Sequence, residues 1–336
     1  MAEMPKMHKR PTPIPPDSIS ALYNVTGPAS DTKEHQALTD KYGFHYRTLL
    51  GEIMYAYVVC RPDIGYAAVT LSKFANNPAD FHFALLKKVA KYLRDTRNWG
   101  IHYHKPNPNR DLPPSDHIDL THNSDLPPFP QMPSGPQLVC FFDAAHANDL
   151  RRRRSTTGYS FQMSNGSIYY KCKTQPLTAT SSTEAEFYSA VSAAKTAKYL
   201  RSILADLGFP QTKPTQLYCD NQSAIRMVNA RIPTDRSRHI LIQYFAIQDW
   251  KDQGDIVLTH IPGTLNPSDD LTKPLGYVLH ARHARRLMGH YLPNFDSHYE
   301  SGESVKPTTK TRVTTNRPSK DSLAGANTMK NFAGTV

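Results

Sequence analysis

Disulfide chemistry is the first thing this sequence lacks the means for. Its 336 residues include only four cysteines, Cys60, Cys140, Cys172 and Cys219, scattered and never in a CxxC pair. Thiols so placed support neither a disulfide framework nor a zinc site, and they point to a reducing compartment. Long apolar runs are missing too. Nothing approaches the roughly 18 consecutive apolar residues that a spanning helix needs, so no membrane segment is expected. The opening stretch MAEMPKMHKRPTPIPP has no apolar core of the signal-peptide kind, so secretion is not expected either. Acidic residues are the scarcer sign of charge, 29 Asp plus Glu against 40 Lys plus Arg, for a net charge of +11. That balance suits a polyanion such as nucleic acid, and the plainer alternative is a basic surface that serves solubility. What the chain does have is 39% hydrophobic residues, enough for a core, and 27 prolines, which must interrupt or link its elements.

The length predicts more than one domain. Residues 1–44 read as an extended, poorly ordered lead. Residues 45–104 read as a small helical domain. Leu49, Leu50, Ile53, Met54 and Tyr57 recur at helical spacing, Pro62 and Asp63 suit the start of a second helix, and Leu85, Leu86, Val89 and Leu93 line a third. The outer face of that third helix carries Lys87, Lys91 and Arg94. Nine prolines fall within 105–136, which reads as a linker. Residues 137–293 then follow the order β-β-β-α-β-α-α-β-α. The strands are QLVCFFD, TGYSFQM, SIYYKCK, TQLYCD and DIVLTHI, with an Asn-Gly hairpin signal at Asn165-Gly166 and a last helix expected from about Pro267. Residues 294–336 have few large apolar groups and read as a disordered tail.

Four carboxylates stand out in this order. Asp143 and Asp220 each end an apolar strand, Glu186 lies in the first turns of a long Ala-rich helix, and Asp269 lies near the start of the last helix. Taken singly, each suits a turn, a cap or a helix dipole. Taken together, carboxylates leaving adjacent strand ends repel one another, and burying them unpaired is costly. Divalent cations relieve that repulsion. Mg²⁺ prefers such hard oxygen ligands, and two ions roughly 3.5–4 Å apart can activate a water and stabilise a leaving phosphodiester oxygen.

The stretches YRTLLGEIMYAYVVCRPDIGYAA, LLKKVAKYLRDTRNWGIHY, DAAHANDLRRRRSTTGYSF, TATSSTEAEFYSAVSAAKTAKYLR, LYCDNQSAI, RSRHILIQYFAIQDW and NPSDDLTKPL run in that order from about residue 45 to 276. They resemble the C-terminal part of the polyprotein of copia-type LTR retrotransposons, the end of the reverse transcriptase followed by its ribonuclease H. The resemblance implies an α/β fold, a ribonuclease H-like mixed five-stranded sheet with flanking helices, preceded by a small thumb-like helical domain. It implies Mg²⁺-dependent endonucleolytic hydrolysis of the RNA strand of RNA–DNA hybrids, with two ions and Mn²⁺ as a substitute. Asp143, Glu186, Asp220 and Asp269 are then the catalytic, metal-binding residues. Glu184 rivals Glu186, and a one-residue shift would exchange Asp269 for Asp270, which stands where the family usually has an apolar residue. Lys87, Lys91, Arg94 and the run Arg151, Arg152, Arg153 and Arg154 are the expected nucleic-acid contacts, the run lying in the loop after Asp143. The family's polymerase hairpin Y-x-D-D is absent from this sequence, so polymerase activity is not expected, and the polymerase portion of the polyprotein becomes an expected partner. A retrotransposon particle, cytoplasmic or nuclear, is the implied setting. The competing reading is a catalytically inactive nucleic-acid-binding fragment of a decayed element.

Overall fold

The computed structural model describes residues 12–30, 32–103, 136–230 and 241–289. The linker expected at 105–136 falls outside these residues except for Pro136, as do the tail at 294–336 and the first residues of the lead. No helix among the described residues is long and apolar enough to cross a membrane.

The first half is helical: α1 (Ser18–Asn24), α2 (Lys33–Tyr42), α3 (Tyr46–Val59), α4 (Gly65–Ser72) and α5 (Asp80–Asp95). The lead is therefore not extended where it is described, because α1 and α2 fall inside it. Short helices of this kind draw their stability from tertiary contacts rather than from propensity. Thr32 caps α2 by accepting from the His35 N–H (3.3 Å), and Gly43 closes it in the left-handed region. Leu22 and Tyr23 of α1 are buried in the same apolar cluster as Ile53, Leu71, Phe83 and Leu86. His82 links the ends of this block: it accepts from the Ala79 N–H at 2.8 Å, leaving its other ring nitrogen to donate to the Leu22 carbonyl at 2.9 Å.

The second half is built on β1 (Val139–Asp149), β2 (Arg154–Met163), β3 (Gly166–Thr174), β4 (Thr215–Cys219) and β5 (Ile256–His260), with α6 (Ser182–Asp206), α7 (Gln222–Asn229), α8 (Leu241–Asp252) and α9 (Tyr277–Met288). The sheet order is β3-β2-β1-β4-β5, antiparallel across the first three strands and parallel across β1, β4 and β5. This is the mixed five-stranded sheet with flanking helices that the ribonuclease H resemblance implies. Alternation along β1 separates two faces. Leu138, Cys140 and Phe142 pack with Phe187 and Ala190 of α6, whereas Val139 and Phe141 pack with Ile261 and Leu265.

Two local features depart from the sequence pattern. The hairpin turn is Ser164-Asn165, both at positive φ, with Met163 already paired to Gly166. Gly166 is needed for another reason: a Cβ there would lie 2.5 Å from the His102 carbonyl. The helix expected from Pro267 is a 3-10 turn, Pro267–Leu271, followed after Pro274 by α9.

The core of the helical block takes in residues of the sheet half, while α6 and the sheet enclose a second cluster of their own. Cys172 of β3, Leu271 and Leu287 sit in the apolar cluster of the helical block. Tyr57 of α3 accepts two hydrogen bonds at the junction, one at its carbonyl from the Tyr170 hydroxyl (2.7 Å) and one at its hydroxyl from the Cys172 N–H (2.8 Å).

Candidate metal centre

The pairing of β1 with β4 ends at Phe141 and Tyr218, while β1 continues alongside β2. Asp143 lies just beyond that last pair, and Asp220 directly follows β4, so the two carboxylates meet where the parallel ladder opens. Asp143 is thus mid-strand rather than at a strand end, because its hairpin with β2 carries the strand on to Asp149. Across the hairpin it faces Gly158. A Cβ at Gly158 would come 2.6 Å from Thr272 and 2.8 Å from Leu271, so the glycine is what lets the 3-10 turn lie directly on the strand.

α6 delivers the third carboxylate. Ser181 caps the helix by accepting from the Glu184 N–H (3.1 Å). Glu184 reaches back to the Thr180 N–H (2.7 Å) and hydroxyl (2.6 Å) and also accepts from the Tyr188 hydroxyl (3.0 Å). Its acceptor capacity is therefore used at the helix start, and Glu186 is the residue aimed at the strands. Ala190, Ala193, Ala194 and Ala197 are fully buried and hold α6 close to the sheet, and Ser189 donates to the Asp143 carbonyl at 2.8 Å.

Asp143, Glu186 and Asp220 offer oxygens that all lie within 4.8 Å of one another. The fourth expected carboxylate, Asp269, is not in that trio. It sits in the adjoining turn, which is fixed by Asn266 donating to the Phe142 carbonyl (2.9 Å) and by Thr272 donating to the Asp143 carboxylate. Lys273 forms an ion pair with Asp269 at 2.9 Å and, with His260, Asn221 and Ser223, lines the same open cleft as the trio. Sequence reasoning overlooked Lys273, although it stands in plain view in the motif LTKPL, four residues after Asp269.

The electrostatics follow from crowding. Burial pushes the Glu186 carboxyl well above the ordinary carboxylate range, and Asp143 and Asp220 push it further. Burial and Asp143 raise Asp220, with Lys273 and His260 opposing, and they raise Asp269, with Lys273 again opposing. Burial disfavours the Lys273 ammonium, yet Asp143, Asp269 and Asp220 outweigh it and raise its affinity for a proton. A buried set of hard oxygen donors that raise one another's proton affinity fits a divalent cation of the Mg²⁺ type.

A pH dependence follows. A carboxyl with raised proton affinity in the folded chain favours folding in acid. That advantage is complete below the unfolded value, near 4, and is lost as pH rises through the raised folded values. Metal-free protein in EDTA is therefore expected to melt at a lower temperature at pH 8 than at pH 5. Asp220→Asn should flatten that fall and Mg²⁺ should oppose it. A wild-type fall that Asp220→Asn leaves unchanged would speak against the crowding.

The expected basic contacts are not among the residues that line this cleft. Lys87, Lys91 and Arg94 are exposed on α5, with Lys87 5.9 Å from the Tyr42 ring centre and Arg94 paired to Asp95 at 3.0 Å. The arginine run begins eight residues after Asp143, past the end of β1. Arg151 stacks on Phe74 at 4.9 Å and donates to the Val25 carbonyl at 2.8 Å, so it is engaged with the helical block. Arg154 donates to the Gln175 carbonyl at 3.3 Å, and Arg152 and Arg153 are exposed.

No protein-family model matches the chain. It is 33% identical over 228 residues to the retrovirus-related Pol polyprotein from transposon TNT 1-94 of Nicotiana tabacum, covering 68% of this chain and 15% of that protein. It is 29% identical over 276 residues to the Pol polyprotein from transposon RE1 of Arabidopsis thaliana, covering 82% of this chain and 16% of that one. The chain thus spans only about a sixth of the length of these relatives. Among solved structures, a ribonuclease H1 isolated from compost matches at 13% identity with a TM-score of 0.32, covering 41% of this chain and 93% of its own. The likeness of fold rests on the strand order described above rather than on that superposition.

Proposed function

We propose, since this chain belongs to the retrovirus-related Pol polyproteins of transposons, that it is the ribonuclease H part of a copia-type polyprotein and cleaves the RNA strand of RNA–DNA hybrids endonucleolytically. The observation that carries this reading is the trio Asp143, Glu186 and Asp220, with oxygens within 4.8 Å at the opening of the β1–β4 ladder. These three would hold Mg²⁺ or Mn²⁺, with Asp269 completing the set beside them. Bound divalent ions supply an activated water and stabilisation of the leaving oxygen. The chain's own residues do the rest. Thr272 and Ser189 hold Asp143 by its carboxylate and its backbone, and Gly158 lets the Asp269 turn close over the strand. Lys273 and His260, at the cleft, would meet a phosphate, and the exposed Lys87, Lys91, Arg94, Arg152 and Arg153 would follow the duplex backbone. The polymerase portion of the polyprotein is the proposed partner, within a cytoplasmic or nuclear particle.

The test is direct. The full chain is incubated with a hybrid labelled on its RNA strand, with Mg²⁺, with Mn²⁺ or with EDTA. RNA cleavage that needs the metal and spares duplex DNA is expected, and absence of cleavage with both metals would overturn the reading. The net charge of +11 favours a second reading, a nucleic-acid-binding fragment without turnover. That reading predicts salt-sensitive hybrid binding and intact RNA in every reaction.

A further inference from the structure

Asp270 stands where the resemblance leads one to expect an apolar side chain, and it is buried. Its carboxylate lies 2.6 Å from Nδ1 of His280, and Nε2 of the same ring lies 3.0 Å from the Tyr92 hydroxyl of α5. Tyr92 donates to Asp63 at 2.6 Å, and Asp63 receives a two-pronged contact from Arg61, at 2.8 and 2.7 Å. All five residues are buried. Tyr92 gives its one hydrogen to Asp63, so the His280 ring donates from Nε2 to the phenol oxygen, and its Nδ1 shares a proton with the buried Asp270 carboxyl.

This chain of contacts crosses the molecule. Arg61, Asp63 and Tyr92 belong to the helical block, His280 to α9, and Asp270 to the 3-10 turn that carries Asp269. A 3-10 turn has about three residues per revolution, so neighbours point in different directions. Asp269 and Thr272 turn toward Lys273 and Asp143, whereas Asp270 turns to His280 and Leu271 lies in the apolar cluster of the helical block. The turn is thus clamped from behind by residues far away in sequence.

From this geometry we infer that Asp270 and His280, braced by Tyr92 and the Arg61–Asp63 pair, are positioning residues that fix the Asp269 turn against Asp143, making the helical block a working part of the metal centre. The metal side of this inference rests on the ribonuclease H reading above, and the clamp itself does not.

Two readouts on the full chain separate these parts. Tyr92→Phe removes one hydroxyl and cuts the hydrogen-bonded link between α5 and α9, and His280→Gln removes the bridging ring. Amide hydrogen exchange across residues 263–273 is expected to quicken in both variants, with exchange in α6 unchanged. Mn²⁺ titration should show affinity about ten-fold weaker, the size typical of losing an outer partner of a metal ligand. On hybrid, kcat should fall more than KM rises. Unchanged exchange across 263–273 would overturn the clamp. Faster exchange with wild-type Mn²⁺ affinity would overturn the positioning role and leave a purely structural network. If the wild type binds no Mn²⁺, the ribonuclease H reading falls and the positioning role with it, while the exchange data still decide whether the clamp exists. Should His280→Gln fail to fold, Tyr92→Phe carries the test.

Discussion

Asp143→Asn is expected to lower RNA cleavage by about 10²–10³-fold or more while raising the melting temperature of the metal-free protein. The two effects have opposite signs for one reason. Asn keeps the shape of Asp and can still accept from Thr272, so the turn that carries Asp269 stays docked. What it removes is a negative charge that Glu186, Asp220 and Asp269 all feel. In metal-free protein that charge repels three carboxylates and attracts one ammonium, Lys273, and on balance its loss is expected to stabilise the fold by about 1 kcal/mol, or roughly 2–4 °C for a chain of this size. With Mg²⁺ present the same charge is a ligand, so the variant should gain less from added metal than the wild type does. Cleavage rates and melts with Mg²⁺ or EDTA check both halves. A variant that cleaves at the wild-type rate would sink the assignment of Asp143, and one that melts lower in EDTA would show that the carboxylate supports the fold.

The strands that carry Asp143 and Asp220 were legible because each is an apolar run ending in a carboxylate, and α6 because its small residues recur at helical spacing. The choice of Glu186 over Glu184 also follows from local rules, since Ser181 caps the Glu184 N–H and the Glu184 carboxylate turns back to the Thr180 N–H at the helix start. What escaped the sequence depends on long separations. The helices at 18–24 and 33–42 are too short to show a period, and α1 is held by contacts such as His82 with Leu22, sixty residues apart. The arginine run follows Asp143 closely in sequence, but β1 continues past Asp143 and Arg151 packs against the helical block. Asp270 looked like a departure from a motif. Its partner His280 is ten residues on, and the next link, Tyr92, is 188 residues back from His280. No local pattern announces such a pairing.

The largest expected loss of stability comes from Arg61. Its guanidinium is buried, grips both oxygens of Asp63, and satisfies the end of α5 through the Thr96 carbonyl (3.1 Å) and hydroxyl (2.7 Å). It also lies 5.4 Å from the Tyr92 ring centre and 5.7 Å from that of Trp99. Arg61→Met keeps much of the apolar stem and leaves Asp63 buried with the Tyr92 hydroxyl as its remaining close partner. Removing one member of a buried pair costs about 3–5 kcal/mol, which for this size corresponds to a melting temperature lower by roughly 10 °C or more. Burial acts to raise Asp63, but Arg61 outweighs it and holds the carboxyl below its ordinary value. The stability from the pair is therefore present above the unfolded value, near 4, and is lost as pH falls through the lower folded value. Without Arg61 the buried carboxyl takes up a proton more easily, so the gap between variant and wild type should be widest near neutrality and narrow toward acid. Arg61→Met/Asp63→Leu, which removes both charges, should recover part of the loss, because an apolar pair needs no compensation. Thermal melts of the full chain at pH 5 and pH 7 decide this. A loss below about 1 kcal/mol at pH 7, the range of an exposed pair, would mean that the Arg61–Asp63 pair does not anchor the helical block.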